Sequence, residues 1–274
     1  MKIVNTLPRA VTIKEVRVET EQVKTFVLDI SVGAKPGQFV NVWIPGLDEK
    51  PFSVAMDNGS ELHLAIAAVG PFSNKMHELK AGDRVGVRGP FGTRFTCKEG
   101  EHLAFLAGGY GAAPLYFFAH EAVAKACTVE FIVGARRKDL LLFTDRIEKL
   151  FSTSSALRSS LHVATNDGSA GHKGFNTEVL EEIVGKEKIS CIYTVGPEIM
   201  MFKAMKLAQA KGIDAQISVE RYMKCGFGIC GNCCVDGLGV PTCIEGPVMP
   251  LKKVLKLRDF GSYHRDKLGK KIAF

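Results

Sequence analysis

His102-Leu103-Ala104-Phe105-Leu106-Ala107-Gly108-Gly109-Tyr110-Gly111-Ala112-Ala113-Pro114-Leu115 is the stretch on which the fold turns. Its apolar run has no polar alternation, as expected of a parallel strand buried on both faces. Glycines follow, and then a helix-like stretch from Leu115 to Lys125 with Pro114 suited to its first turn. Strand, glycine loop and helix together make an anion cradle, because a helix N-terminus offers free N–H groups and a partial positive charge. Gly108, Gly109, Gly111 and Pro114 are therefore candidate contacts for a nucleotide pyrophosphate. The loop is not a full G-x-G-x-x-G, and a tight turn without any ligand has the same pattern.

Downstream, Val129–Gly134, Leu161–Thr165 and Ile189–Val195 read as further strands, and Glu198–Lys211 as a helix. Such alternation predicts a parallel sheet with helices on both faces over residues 100–217. Arg136 and Arg137 end the second strand, where an adenosine ribose lies in such sheets; exposed surface charge is the other reading. Upstream, Val11–Ile13, Phe26–Leu28, Phe39–Ile44, Leu62–Ile66 and Arg84–Val87 are short strand-like runs. Pro36-Gly37, Asp57-Asn58-Gly59 and Ala81-Gly82-Asp83 punctuate them, so residues 1–99 are expected to form a small barrel of six strands.

A third unit, residues 218–274, carries most of the cysteines. Cys225, Cys230, Cys233 and Cys243 are spaced C-x4-C-x2-C-x9-C. The first three follow the spacing that holds a [2Fe-2S] cluster in plant-type ferredoxins, and two irons need four thiolates. Gly226, Gly228 and Gly231 let the backbone curl and bring N–H groups toward a bound ion. Structural zinc usually shows paired C-x2-C knuckles or Cys/His mixtures, and only one C-x2-C is present; zinc and disulfides remain the competing readings. Cys234 adjoins Cys233, and the spacing favours Cys233 as the ligand. Cys97, Cys127 and Cys191 stand singly among apolar residues and read as small buried hydrophobes.

The chain has 274 residues, enough for two domains and a small module. No segment has the length of a membrane span. The opening Met1–Pro8 lacks the apolar core of a secretory signal, so a cytoplasmic location is expected, in keeping with free thiols. Of the formal charge of +7, residues 251–274 hold +6: Lys252, Lys253, Lys256, Arg258, Arg265, Lys267, Lys270 and Lys271 against Asp259 and Asp266. A nucleic-acid binder more often spreads its charge over a folded face. A basic tail beside a cluster suits docking of a partner subunit, or is simply solvated.

Lys50-Pro51-Phe52-Ser53-Val54, Ile66–Ser73 and Gly89-Pro90-Phe91-Gly92 resemble elements of the ferredoxin reductase superfamily, which pairs an FAD-binding barrel with a nicotinamide-binding domain. Gly108–Leu115 is similar to its glycine-rich loop, and Thr194-Val195-Gly196-Pro197 to its Cys-Gly-Pro element near the nicotinamide. Glu220–Cys233, closing with Cys243-Ile244-Glu245-Gly246-Pro247-Val248, is similar to the electron-transfer subunits of NAD-linked dihydroorotate dehydrogenases. The resemblance implies an antiparallel FAD barrel, a parallel-sheet NAD domain and a C-terminal [2Fe-2S] module. It also implies a partner subunit that carries FMN and the dihydroorotate site, in a hetero-oligomer, a heterotetramer, serving pyrimidine biosynthesis.

By that resemblance Lys50, Pro51, Phe52 and Ser53 hold the flavin and its pyrophosphate, and Ala65, Ile66 and Ala67 line it. Phe72 and Ser73 match a Gly-Thr pair, and Gly196 and Pro197 meet the nicotinamide. Lys50 stands where the family usually has Arg and lacks its bidentate fork. Phe72 replaces a glycine, and Val195 replaces a cysteine. Flavin is the group that joins two-electron hydride exchange to one-electron transfer, and hydride exchange needs no acid–base side chain, so no catalytic residue is named. Similar subunits also serve hydrogenases, sulfur or sulfite reductases and ferredoxin:NADP oxidoreductases. The sequence leaves NAD versus NADP open, and a zinc-stabilised docking scaffold is the non-enzymatic alternative.

Overall fold

The computed structural model describes residues 7–153, 159–266 and 268–274. Met1–Thr6 of the opening stretch and Lys267 of the basic tail lie outside the described residues.

The first unit is one antiparallel sheet of seven strands: β1 (Arg9–Val18), β2 (Val23–Leu28), β3 (Phe39–Ile44), β4 (Asp48–Ser53), β5 (Met56–Asp57), β6 (Leu62–Ala67) and β7 (Arg84–Phe91). Their order is β4-β3-β7-β1-β2-β6-β5, and β4 also touches β6, so the sheet curls toward a barrel. Alternation along β6 shows why it closes. Leu62, Leu64 and Ile66 are fully buried inside, while His63, Ala65 and Ala67 face out. The six expected strands become seven, and one helix was not anticipated. Pro71-Phe72-Ser73 opens α1 (Pro71–Glu78), with Pro71 at its first position, and Phe72 and Met76 join the barrel core.

The second unit is the expected parallel sheet. It contains β8 (His102–Gly108), α2 (Ala112–Ala124), β9 (Thr128–Ala135), α3 (Thr144–Thr153), β10 (Ser160–Thr165), β11 (His172–Lys173), α4 (Asn176–Lys186), β12 (Cys191–Val195), α5 (Glu198–Lys211) and β13 (Asp214–Ser218). Leu103, Phe105 and Ala107 pack under α2 and α3; Ala104 and Leu106 pack under α4 and α5. Both faces of β8 are thus covered, which is what its unbroken apolar run demands. Phe105 stacks on Phe118 at 5.1 Å and meets Tyr193 edge-on at 5.2 Å, locking α2 onto the central strands.

The C-terminal stretch contains α6 (Thr242–Glu245), β14 (Val248–Pro250), α7 (Leu251–Val254), β15 (Tyr263–Arg265) and β16 (Lys271–Ala273). After the cysteines the chain returns to the second unit. β14 pairs antiparallel with β13, and Met249, Val254, Leu257 and Phe260 enter the core beneath α5. The basic end is a hairpin of β15 and β16. Arg265 pairs with Asp236 at 2.8 Å, and Lys271 lies 4.4 Å from the centre of the Tyr263 ring.

Candidate functional site

The sheet order β11-β10-β9-β8-β12-β13-β14 reverses direction between β8 and β12. Ligands of open parallel sheets sit at such a switch point, beyond the carboxyl ends of the strands. Here the loops after β8 and β12 touch. A Cβ on Gly111 would lie 2.2 Å from the Val195 carbonyl oxygen, so only glycine fits there. A Cβ on Gly108 would meet Pro197 at 2.6 Å, and one on Gly196 would meet Gly108 at 2.9 Å. Gly108, Gly109, Gly111, Pro114, Gly196 and Pro197 are thereby gathered at one end of the sheet. Asn176, which the sequence did not single out, braces this end: its buried Nδ2 donates to the Ala107 carbonyl at 2.9 Å.

A cleft of about 270 Å³ opens beside this loop, between the barrel and the sheet. Pro51, Phe52, Ser53, Ala65 and Ala67 form its barrel wall; Tyr110, Gly111, Pro114 and Val195 form the opposite one. Phe39, Ser218–Arg221, Met223 and Pro247 also line it. Small side chains on β6 and glycine on the facing loop keep the slot open, and its mostly apolar walls with few polar groups suit a flat aromatic ligand.

Several expected contacts do not line this cleft. Lys50 lines a second cavity and pairs with Asp48. The side chain of Ile66 points into the barrel core, as strand alternation requires, so only its neighbours Ala65 and Ala67 face the cleft. Phe72 packs against Phe52, ring centres 5.9 Å apart. Ser73 Oγ accepts from the N–H groups of Val69 and Gly70 at 2.9 and 3.0 Å, capping α1. Arg137 is held in a two-pronged pair with Asp139.

Glu220 is the acidic group of the cleft. Its side chain opens on the slot while protein hems it on the other sides. That desolvation, and then the charge of Glu198, pushes its carboxyl up to about 7, against the pull of Arg221. The Glu220 charge and then burial push Tyr110 up to about 12. Arg221 itself is buried and turned away. It donates to Glu198 at 2.7 Å and to Asp259 at 2.9 Å, tying the start of the cysteine loop to α5 and to the chain beyond α7.

The four expected cysteines come together in two pairs. Cys225 neighbours Cys230, and Cys233 neighbours Cys243. The Cys243 N–H points at the Cys233 sulfur at 3.4 Å. The Cys243 thiol, opposed by burial and helped by the N–H groups of Cys243 and Thr242, draws Cys233 down to about 6. Burial resists ionisation of Cys225, but the N–H groups of Cys230 and Phe227 outweigh it and bring that thiol down to about 7. Gly226, Gly228 and Gly231 all take positive φ, a backbone conformation that glycine adopts without steric cost. Cys234 follows a different course: its N–H bonds to Gly231, and burial and the charges of Cys233 and Cys230 raise its thiol. Among the described residues no three Cys, His, Asp or Glu side chains converge as they would on a single ion. Two cysteine pairs would suit a two-iron cluster, which needs four thiolates, better than one tetrahedral zinc. Cys127 and Cys191 are buried as expected, and Cys97 is partly so.

The cleft and the cysteines share a wall. Phe39 and Met223 line the cleft and also pack with Cys233, Cys243 and Phe91 in one apolar cluster.

Comparison with known proteins bears on each part. Residues 220–255 match the family model described as the iron-sulfur cluster binding domain of dihydroorotate dehydrogenase B, and residues 105–206 match the oxidoreductase NAD-binding domain. A protein of Methanocaldococcus jannaschii, described as a probable dihydroorotate dehydrogenase B (NAD(+)) electron transfer subunit, is 47% identical over 96% of this chain and 97% of its own length. One from Methanothermobacter thermautotrophicus with the same description is 40% identical over 98% of each. Among solved structures, an NADH-dependent reduced ferredoxin-NADP oxidoreductase superposes with a TM-score of 0.80 at 27% identity, over 91% of this chain and 89% of that one. A Neisseria gonorrhoeae ferredoxin NADP+ reductase with bound FAD and NADP shares the fold, with a TM-score of 0.62 at 19% identity over 75% of this chain and 92% of that one.

Proposed function

The chain belongs to the family of dihydroorotate dehydrogenase B electron transfer subunits, and from that premise we propose that it carries electrons from a dihydroorotate-oxidising partner to NAD+. FAD occupies the cleft between barrel and sheet, held by Pro51, Phe52, Ser53, Ala65 and Ala67. NAD(H) docks at the carboxyl ends of β8 and β12 along Gly108, Gly109, Gly111, Pro114, Gly196 and Pro197. The [2Fe-2S] cluster is held by Cys225, Cys230, Cys233 and Cys243. Bound together, these groups supply hydride exchange at one end and single-electron transfer at the other. The chain's own part is to orient the flavin slot toward the nicotinamide loop, to shelter the sulfurs and to keep the two sites adjacent.

One observation carries the reading: Phe39 and Met223 are common to the cleft and to the cysteine cluster. A flavin in the cleft and a cluster on these cysteines would therefore share that apolar wall. The dihydroorotate site and its FMN belong to the partner subunit, in a hetero-oligomer of the cytoplasm that serves pyrimidine biosynthesis. No described helix is long and apolar enough to cross a membrane. Whole-chain similarity to the ferredoxin-NADP oxidoreductase favours a second reading, with ferredoxin chemistry on the partner. Identity of 47% against 27% puts the dihydroorotate branch first. Anaerobic purification from the native host tests both readings. The expected co-purifying subunit binds FMN and oxidises dihydroorotate, while the isolated chain reduces dyes with NADH but leaves dihydroorotate untouched. Robust dihydroorotate oxidation by the isolated chain would defeat this division of labour.

A further inference from the structure

A second cavity, of about 610 Å³, lies on the outer side of the cysteine loop, with Cys225 and Cys230 in its wall. Two of its other lining residues, Arg88 on β7 and Glu49 on β4, form an ion pair. The Arg88 side chain is only 7% exposed. Its Nη2 donates to Glu49 Oε2 at 2.7 Å and its Nε to the other carboxylate oxygen, so the fork is fixed in direction. The guanidinium carbon lies 5.4 Å from the ring centres of both Phe91 and Phe227. Phe227 stands within the loop between Cys225 and Cys230. Opposite Arg88 in the sheet register, Asn41 donates its Nδ2 to the Lys224 carbonyl at 3.0 Å, pinning the residue before Cys225 to the barrel. A desolvated ion pair is a costly way to fill space, since apolar side chains of the same volume serve stability as well or better. The other cation–carboxylate pair of this cavity, Lys50 with Asp48, is more open to water and more screened.

We propose that the Arg88–Glu49 pair tunes the reduction potential of the cluster held by Cys225, Cys230, Cys233 and Cys243, with Arg88 raising the potential and Glu49 tempering it. The inference rests on the cluster assignment above. One-electron reduction adds one negative charge to the cluster and makes or breaks no bond. A fixed cation stabilises that added charge and a fixed carboxylate opposes it. At a separation on the order of 10 Å and an effective dielectric near ~20, a single unit charge changes the one-electron equilibrium about tenfold. Arg88 and Glu49 are thus positioning residues for charge, with no contact to substrate.

The test is a redox titration of the anaerobically purified full-length protein, followed through the paramagnetic signal of the reduced cluster. Arg88→Met is expected to lower the ratio of reduced to oxidised cluster at fixed potential about tenfold, a shift of about 59 mV for one electron. Glu49→Gln is expected to shift it upward by a similar factor, and the double variant, which keeps neither charge, to lie between the two single variants. Shifts of less than about twofold in both single variants, or shifts of the same sign, overturn the proposal. Should Arg88→Met fail to retain its cluster, Glu49→Gln decides alone: a rise supports the proposal and an unmoved or lowered potential overturns it. Absence of the signal from the wild-type protein removes the cluster assignment and this inference together. A wild-type signal with unmoved potentials removes the inference only.

Discussion

The two ends of the proposed electron path are built differently. The glycine loop after β8 rests on a strand buried on both faces, and close packing against Val195 and Pro197 shapes it. The cysteine loop from Cys225 to Cys243 contributes Val235, with Leu238 and Val240 beside it, to the core beneath α5, while its cysteines sit in a small cluster of their own. The apolar cluster around it consists of Phe39 and Phe91 from the barrel, with Met223, Cys233 and Cys243, and Phe227 packed alongside. Its order comes from positive-φ glycines, N–H···S bonds and the thiols themselves. Packing therefore specifies the first site, and ligand chemistry specifies the second. Loss of the cluster should loosen the cysteine loop and leave the nicotinamide end intact.

Cys233→Ser tests this most severely. It removes a buried thiol that its neighbours draw down to about 6. Complete loss of the [2Fe-2S] absorbance and paramagnetic signal is expected, while NADH still bleaches the flavin. Loss of both activities together would show that the two sites are not independently built.

Arg221→Met probes the joint between them. It strands the Glu198 and Asp259 carboxylates, both nearly buried, without their cation. A loss of about 3–5 kcal/mol in denaturant unfolding is expected, as for other broken buried pairs. A loss below about 1 kcal/mol, the range of exposed pairs, would contradict the account of this joint.

Gly111→Ala attacks the packed end. Its Cβ would lie 2.2 Å from the Val195 oxygen, and backbone must move. Destabilisation of about 1–3 kcal/mol is expected, together with slower reduction by NADH and an unchanged cluster spectrum.

The smallest effect concerns Glu220. Its carboxyl titrates at about 7 in the folded protein, above its ordinary 4.5. The folded state therefore binds this proton more tightly than the unfolded state. The contribution is present below pH 4.5 and is lost as pH rises toward 7. In Glu220→Gln that slope disappears. The gap between variant and wild-type melting temperatures should widen across this window in favour of the variant and then stay level.

Features set by local chemistry were legible in the sequence. Glu198–Lys211 was expected as a helix and is one to the residue. The four cysteines proposed as ligands were chosen from spacing, because a cluster constrains neighbours along the chain. Features set by which face an element presents were not. Lys50 and Ile66 sit in the expected strands but point away from the cleft, since strand pairing decides their direction. α1 was hidden in a short segment where Pro71 at the first helical position was the only signal. The return of β14 to the parallel sheet and the bond between Arg221 and Asp259 join residues far apart in sequence, which no local pattern records. Asn176 and Glu220 escaped notice for the same reason. Their roles depend on neighbours supplied by other elements, Ala107 on β8 for Asn176 and Glu198 on α5 for Glu220.

On this proposal one chain couples a hydride-accepting flavin to a two-iron cluster across the Phe39–Met223 wall. Stepwise anaerobic addition of NADH to the purified chain, with absorbance and paramagnetic resonance recorded together, tests it directly. The account predicts one flavin and about two irons per chain, with the cluster signal appearing as NADH is added. Tightly bound zinc in place of iron, or a flavin that bleaches while the cluster stays oxidised, would contradict it.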